Sequence, residues 1–352
     1  MKLQRDPWTA AERGRRRMPP TQESAKAMPL ERPVAEASAG AALESAVGAE
    51  VTRLGARMTE FVPLLDALRA AGPVTTRVVN AAAVHETTGP IGEVAAHGAM
   101  GQVVGKIDLR LFLNHWHAAY GLTGASGEGL LRVVDAAGEP VVDISTTAMT
   151  DLEAWERVIG AHRAPDSAVP TFAPHAPPAP ETPDAEIDVV GLRSAWATLD
   201  HTHDFYGILR RFGVGREQAL RLGGADFAVE VPPTILRTVF SAAERAGLQI
   251  MCFVGSRGCL QIYTGPVIMV PGAAEPMRVN GDGFTLSLDP ARIARCWVVI
   301  KPTKLRGRIT SIEVFDTAGT QVCQLFGARP PGEQENPAWR DIVEQAAAEV
   351  AP

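Results

Sequence analysis

Leu131-Arg-Val-Val-Asp-Ala-Ala-Gly138 returns 181 residues later as Ile312-Glu-Val-Phe-Asp-Thr-Ala-Gly319. Each stretch is apolar and β-branched, then breaks at Asp-x-Ala-Gly, the pattern of a strand entering a hairpin turn. Ile107-Asp108 with Trp116 matches Leu288-Asp289 with Trp297 at the same offset. Two more pairs extend the repeat: Leu65-Asp-Ala-Leu-Arg-Ala-Ala-Gly72 with Ser241-Ala-Ala-Glu-Arg-Ala-Gly247, and Thr88-Gly89-Pro90 with Thr264-Gly265-Pro266. A repeat this long, with a helix first and antiparallel strands after it, is no solenoid. The expected fold class is α+β, a tandem duplication of two similar domains, each a large antiparallel β-sheet flanked by helices.

Working outward, residues 1–40 mix Pro, Ala, Ser and charge without periodicity and are expected to be disordered, with Arg15-Arg16-Arg17 in a solvated tail. The first repeat spans 41–163. It starts with helical spacing from Ala41 to Ala71 (Phe61, Leu64, Leu65, Leu68), closed by Gly72-Pro73. Strand alternation follows at Val74–Val79, His85–Thr88 and Val103–Leu113, then a hairpin from Leu130 to Ile144 turning at Ala137-Gly138, and a helix at Leu152–Ala161. A proline-rich linker occupies 164–185, and the second repeat spans 186–352.

Composition narrows the function classes. The 352 residues suffice for two cores, and 46% hydrophobic with 21% charged residues is ordinary for a globular protein. A net charge of −6 argues against a general nucleic-acid binder. No run approaches the ~18 apolar residues of a membrane span, so the chain is not expected to be membrane-embedded. No apolar segment follows the basic N-terminus, so no secretory signal is expected. The cysteines Cys252, Cys259, Cys296 and Cys323 form no CxxC and lie in apolar strands, which suggests reduced, buried thiols and a cytoplasmic protein.

In a duplicated scaffold, shared residues mostly maintain the fold and differences point to function. The segment Leu109-Arg110-Leu-Phe-Leu-Asn-His115-Trp-His117 aligns at that offset with Pro290-Ala-Arg-Ile-Ala-Arg-Cys296-Trp-Val298, so Arg110, His115 and His117 belong to one repeat. The stretch Trp196-Ala-Thr-Leu-Asp-His-Thr-His203-Asp-Phe-Tyr-Gly-Ile-Leu-Arg-Arg-Phe-Gly-Val-Gly-Arg216 sets two histidines before a helix and arginines after it. By itself His203 reads as a surface or helix-N-terminal histidine. His201 is expected to be exposed, and His85 to lie on a strand surface. His115 and His117 are expected to flank Trp116 on a strand, one facing the core and one facing water. Arg257 reads as a turn residue.

Taken together, these stretches resemble the bacterial cytoplasmic hemin-degrading and haem-trafficking factors encoded with haem-uptake systems. The second repeat carries Asp200-His-Thr-His203-Asp-Phe205, Gly213-Val-Gly-Arg216-Glu-Gln-Ala-Leu220, Val254-Gly-Ser-Arg-Gly258-Cys-Leu-Gln-Ile-Tyr-Thr-Gly265, Cys296-Trp-Val-Val-Ile-Lys301-Pro-Thr303 and Glu313-Val-Phe-Asp-Thr-Ala-Gly319. The first carries Val84-His-Glu-Thr-Thr-Gly89, Ile107-Asp-Leu-Arg110 and Asn114-His-Trp-His117; together the blocks run from about residue 45 to 345. The resemblance implies haem (Fe-protoporphyrin IX) as ligand, His203 as axial ligand to the iron, and Arg110 as the distal, catalytic arginine. It implies pocket or propionate-side roles for Arg216, Lys301 and Arg329, and ring packing for Phe253. Some members of the family place a tyrosine close to where Phe326 stands, which implies one polar contact to the haem fewer here.

The residue chemistry agrees. Haem iron takes a neutral imidazole, and guanidinium forks pair with carboxylates bidentately. Arg216 lies thirteen residues after His203, ~20 Å along a continuous helix, so Gly213 and Gly215 are expected to break the helix and bring it back. Two functions remain open. One is haem binding in iron acquisition, with oxidative ring opening that releases iron. The other is a non-enzymatic chaperone or store that hands haem to a separate oxygenase. Implied partners are an inner-membrane haem importer and an electron donor or haem oxygenase; no flavin or nicotinamide fingerprint is present.

Overall fold

A computed structural model of the chain describes residues 50–55, 58–124, 127–165, 170–271, 276–330 and 332–350. The expected tail over 1–40 and the start of the helix expected from Ala41 lie outside the described residues. Glu50–Leu54 is strand β1 rather than helix, because β-branched Val51 and Thr52 find a partner strand and tertiary pairing overrides local periodicity. Helix α1 is Met58–Ala67, and a 3-10 turn at Leu68–Ala71 ends at Gly72 with φ 80°.

The first repeat continues with β2 (Pro73–Val79), β3 (Ala83–Pro90), β4 (Glu93–His97), β5 (Met100–Val104), β6 (Asp108–Phe112), β7 (Ala118–Thr123), β8 (Gly129–Val134), β9 (Pro140–Thr146) and α2 (Leu152–Ala161). The single strand expected over Val103–Leu113 is two strands, since Gly105-Lys106 turns the chain between β5 and β6. The segment before the second sheet forms α3 (Val189–Ala197), α4 (Asp204–Phe212) and α5 (Arg216–Gly223). The second repeat follows with β10 (Ala228–Val231), α6 (Ile235–Ala246), β11 (Gln249–Gly255), β12 (Cys259–Pro266), β13 (Ile268–Met269), β14 (Met277–Gly281), β15 (Phe284–Leu288), β16 (Ile293–Thr303), β17 (Gly307–Asp316), β18 (Gln321–Gly327) and α7 (Pro337–Val350).

The strands form two nine-stranded antiparallel sheets, ordered β1-β7-β8-β9-β2-β3-β15-β14-β13 and β10-β16-β17-β18-β11-β12-β6-β5-β4. The α+β class and the duplication stand, and the repeats also exchange strands. β4–β6 of the first repeat extend the second sheet, and β13–β15 of the second extend the first. One continuous core joins both sheets, with Phe61, Leu64, Trp155 and Val158 from α1 and α2, and Val239, Phe240, Trp339 and Val343 from α6 and α7. Helices α3–α5 pack elsewhere, burying Leu192, Trp196, Phe205 and Leu209 against Trp297, Val299 and Phe315 of the second sheet.

Register corrects one expected match. Opposite its neighbour strand, Trp297 faces Glu313 as Tyr120 faces Arg132, so Trp297 is the counterpart of Tyr120 and not of Trp116. In the same way Arg110 corresponds to Ser287, since Arg110 pairs with Leu260 and Ser287 with its counterpart Val84. The offset changes because the β16–β17 hairpin has nine residues between Ile300 and Thr310, where the β7–β8 hairpin has five between Thr123 and Gly129.

His85, expected on a surface, is fully buried. Its side of β3 faces the core, where its ring meets Phe284 edge-on at 4.9 Å and Nε2 lies 3.2 Å from Thr87 Oγ1. Burial lowers its pKa from 6.5 to about 3. The unfolded chain therefore binds a proton here below pH ~6.5 that the folded chain refuses. The neutral histidine is harmless to stability above that pH, and stability falls as pH drops from there toward 3, by ~1.4 kcal/mol per unit. Denaturant unfolding between pH 6.5 and 4.5 should show a shallower pH slope, by about one proton, in His85→Leu than in the parent. An identical slope would mean that His85 is not held neutral.

Candidate functional site

The outer face of the second sheet differs in chemistry from its counterpart on the first. Across β17, β18, β11 and β12 one row reads Glu313, Gln324, Phe253, Ile262; the matching row on β8, β9, β2 and β3 reads Arg132, Asp143, Arg77, Glu86. The next row sets Phe326 and Met251 where the first sheet has Ser145 and Thr75. On the first sheet these positions are an ionic ladder: Arg132 binds Asp143 through two 2.7 Å hydrogen bonds, and Arg77 lies 3.5 Å from Glu86. On the second, Met251, Phe253 and Phe326 make a half-buried apolar shelf beside Glu313 and Gln324, with Phe253 and Phe326 in edge contact at 5.2 Å. A flat apolar ligand can lie on the second face; on the first it would strip water from paired charges.

Helices α3–α5 rise from this sheet over β16 and β17 and form a step beside the shelf. The chain enters α4 through Leu199-Asp-His-Thr-His203. It is stapled to the β16–β17 hairpin by a parallel bridge Leu199–Thr303, by Lys304 N donating to Leu199 O at 2.9 Å, and by Lys304 Nζ to Asp200 at 2.9 Å. His203 is the N-cap residue of α4, and its ring is solvent-exposed. Even so its pKa is lowered, first by partial desolvation, then by the charges of Arg306, His201 and Arg110, with Asp204 opposing. The exposed ring, the step of α3–α5 and the apolar shelf bound the region called the recess. The positive end of the helix acts in the same direction, so the imidazole is neutral and its ring nitrogens can accept or ligate.

Arg110 reaches this recess through strand exchange. β6 pairs with β12, with Arg110 opposite Leu260, which puts a first-repeat cation on the second repeat's sheet, where its charge acts weakly on His203. Its guanidinium donates to Asp108 and, at 3.1 Å, to Leu109 O. Phe253 lies on the shelf. Arg329 is half-buried just past β18; burial and then the charge of Arg306 lower its pKa, against a smaller pull from Glu335.

Arg216 and Lys301 are differently placed. Gly213 does end α4 in the left-handed conformation, and α5 starts at Arg216, so the chain turns back as expected. The arginine meets Glu313 through a fork of 2.6 and 2.9 Å, and Lys301 Nζ meets the same carboxylate at 2.7 Å. Both cations also face the ring of Phe205, at 5.5 and 4.9 Å. Glu313 is 0% exposed; burial alone would raise its pKa, but Arg216 and Lys301 more than offset that and hold it well below the carboxylate range. Burial lowers the pKa of Lys301 and Glu313 partly restores it. This cluster ties α4–α5 to β17 beneath the recess.

His201 is half-buried rather than exposed, with its backbone N–H bonded to Asp204. His115 ends a 3-10 turn and His117 lies in coil with Nε2 2.8 Å from Thr171 O, so neither faces the core and the expected alternation on a strand fails. Arg257 is an exposed turn residue, as expected. The residue sequence reasoning missed is Arg306. It stands on the longer β16–β17 hairpin, and the signal that would have found it is the difference in hairpin length between the repeats.

A shelf of Met251, Phe253 and Phe326, a neutral exposed imidazole and a rim of arginines fit a flat apolar ring that carries anionic groups and a metal open to nitrogen. The family model of the haemin-degrading HemS.ChuX domain matches residues 36–162 and 213–346. The hemin transport protein HmuS of Yersinia pestis is 34% identical over 304 residues, covering 85% of this chain and 86% of that one. HemS of Yersinia enterocolitica is also 34% identical, covering 80% and 82%. Among solved structures, apo-PhuS, a heme-binding protein from Pseudomonas aeruginosa, matches with a TM-score of 0.81 at 38% identity over 86% of this chain and 89% of that one. ChuS, a heme-degrading enzyme of Escherichia coli O157:H7, matches with a TM-score of 0.77 at 30% identity over 89% and 90%.

The two layers of the recess should separate in stability. Glu313→Ala leaves Lys301 buried without its anion and is expected to cost ~3–5 kcal/mol, whereas His203→Ala at the exposed rim should stay within ~0.5 kcal/mol of the parent. Urea unfolding of the ligand-free protein measures both. A Glu313 loss no larger than that of His203 would mean the cluster does not anchor the helices.

Proposed function

The chain belongs to the family built on the haemin-degrading HemS.ChuX domain, and on that premise we propose that it binds haem on the shelf of the second sheet. In this reading His203 is the axial ligand, Arg110 is the distal cation, and Phe253 packs on the porphyrin. What supports it most is the strand exchange, which puts first-repeat Arg110 on the second repeat's sheet, with its charge the smallest of the influences that bear on the pKa of His203. Haem, when bound, supplies oxygen-activating iron and the ring to be opened.

The chain's own groups do the rest. Partial desolvation and neighbouring cations keep the His203 imidazole neutral, the form that ligates. Arg110 carries a fixed charge and N–H donors suited to an anionic or polar sixth ligand. Met251, Phe253 and Phe326 exclude water from the ring. We assign the protein to the cytoplasmic side of bacterial haem uptake, taking haem from an inner-membrane importer and degrading it with electrons from a separate donor. Four free, buried cysteines fit a reducing compartment, and among the described residues no helix is long and apolar enough to cross a membrane. A second reading, delivery of intact haem to another oxygenase, draws support from the exposure of His203 at an open recess.

Mixing the protein with haemin should give a Soret band that His203→Ala abolishes or shifts; an unchanged spectrum would remove His203 as ligand. Adding a reductant under oxygen with catalase present separates the two readings. Loss of the band with release of a linear tetrapyrrole supports degradation, slowed at least ~10-fold in Arg110→Ala. Persistence of the band until an oxygenase is added supports delivery.

A further inference from the structure

The strands that end the two sheets, β1 and β13 on the first and β10 and β4 on the second, differ in how their free edges are finished. Residues 162–164 run along the outer edge of β1: Leu54 bridges Arg163, Gly55 N donates to His162 O at 3.0 Å, and Ala164 N donates to Arg53 O at 2.9 Å. β13 has two residues, and β10 has four and runs into Pro232-Pro233. β4 has none of these protections. Glu93-Val-Ala-Ala-His97 contains no Lys and no Pro, its register with β5 runs without a bulge, and four of its five residues are exposed. Such an edge presents a row of N–H and C=O groups to which another strand can add, and Lys, Pro and bulges are the usual defences against that. Among the described residues no strand pairs with β4 on its outer side.

The β4–β5 turn determines which groups are free. Gly98-Ala99 is a two-residue turn, so His97 and Met100 form the closing hydrogen-bonded pair, repeated by Ala95 with Gln102 and by Glu93 with Val104. The N–H and C=O of Val94 and Ala96 therefore point outward. A second β4 laid antiparallel, with Ala95 at a twofold axis, sets Val94 opposite the partner's Ala96 and satisfies these groups on both strands. The same register sets Glu93 opposite the partner's His97, and does so twice. Centring on Glu93 instead would bring two carboxylates face to face, and centring on His97 two imidazoles. Met100 and Val104, 50% and 36% exposed, stand behind this edge on β5 as open apolar surface.

We propose that β4 is a homodimer interface, through which two chains join their second sheets edge to edge about a twofold axis at Ala95. The occupant is a second copy of this chain because the charge pattern of the strand is complementary to itself read backwards. This inference is independent of the haem reading. Antiparallel partners keep matched side chains on the same side of a sheet, so the outer faces of both second sheets would point the same way. Ala95, Gln102 and Arg110 share one row across the strands. The two Arg110 residues would then stand five strand spacings apart, ~24 Å, with both recesses open on one side of a continuous sheet.

Sedimentation of the full chain from ~1 to ~300 μM, where small interfaces associate, should show a monomer–dimer equilibrium. Ala96→Pro removes an outward N–H without touching the ladder to β5 and should leave a monomer with an unchanged urea midpoint. Glu93→Lys should weaken the dimer roughly tenfold, since each cross-strand pair occurs twice, and adding His97→Glu should restore it. A parent that stays monomeric, or a dimer that both Ala96→Pro and Glu93→Lys leave intact, overturns the proposal. Ala95→Cys reads the axis directly. Non-hydrogen-bonded partners stand ~4.5 Å apart at Cα, within reach of a disulfide, and the native cysteines are buried. Mild oxidation should cross-link Ala95→Cys into dimers far faster than Val190→Cys, an exposed position on α3. Equal rates for the two would also overturn it.

Discussion

Backbone hydrogen bonds between β12 and β6, with Leu260 opposite Arg110, carry three strands of one repeat into the sheet of the other. The matching contact between β3 and β15 does the same on the far side. Everything distinctive about the recess depends on this pairing. Without it Arg110 would stand on a sheet remote from His203, and the proline-rich linker would have to bring two separate bodies together. With it, the geometry between the repeats is set by ladder hydrogen bonds and a shared core, which are far stiffer than a linker.

The recess separates holding from binding. Glu313, with Arg216, Lys301 and Phe205, satisfies its charges internally and fixes α4 and α5 to the sheet. Beside it stand the side chains of His203, Arg306 and Arg329, for which no hydrogen bond or ion pair is seen among the described residues. Buried charge that is fully paired stabilises one arrangement, whereas exposed or unpaired charge is available to a ligand. The first sheet carries the opposite solution at the same positions, with Arg77, Glu86, Arg132 and Asp143 pairing among themselves.

Much of this was legible in the sequence, for identifiable reasons. The Asp-x-Ala-Gly turns located both hairpins because Gly138 and Gly319 take positive φ, which only local chemistry determines. The helix at Leu152–Ala161 and the turn-back at Gly213 were readable for the same reason. What depended on distant partners was not. β1 looked helical until β7 paired with it, and His85 looked exposed although the pleat turns it inward. Arg216 and Lys301 looked free because their partner lies 97 and 12 residues away in sequence. Matching Trp116 to Trp297 failed because a hairpin four residues longer shifts the register between them. That same extra length carries Arg306, so the misalignment and the overlooked residue have one cause.

Strand exchange between repeats is also the contact that a symmetric dimer of single-repeat chains would make. In such a dimer every substitution appears twice, so an arginine that improves one cleft is imposed on the other, and both must remain alike. Joining the copies into one polypeptide removes that constraint. One face can then carry a self-neutralised ladder while the other carries an apolar shelf and a longer hairpin. Covalent linkage thus gave this architecture permission to be asymmetric.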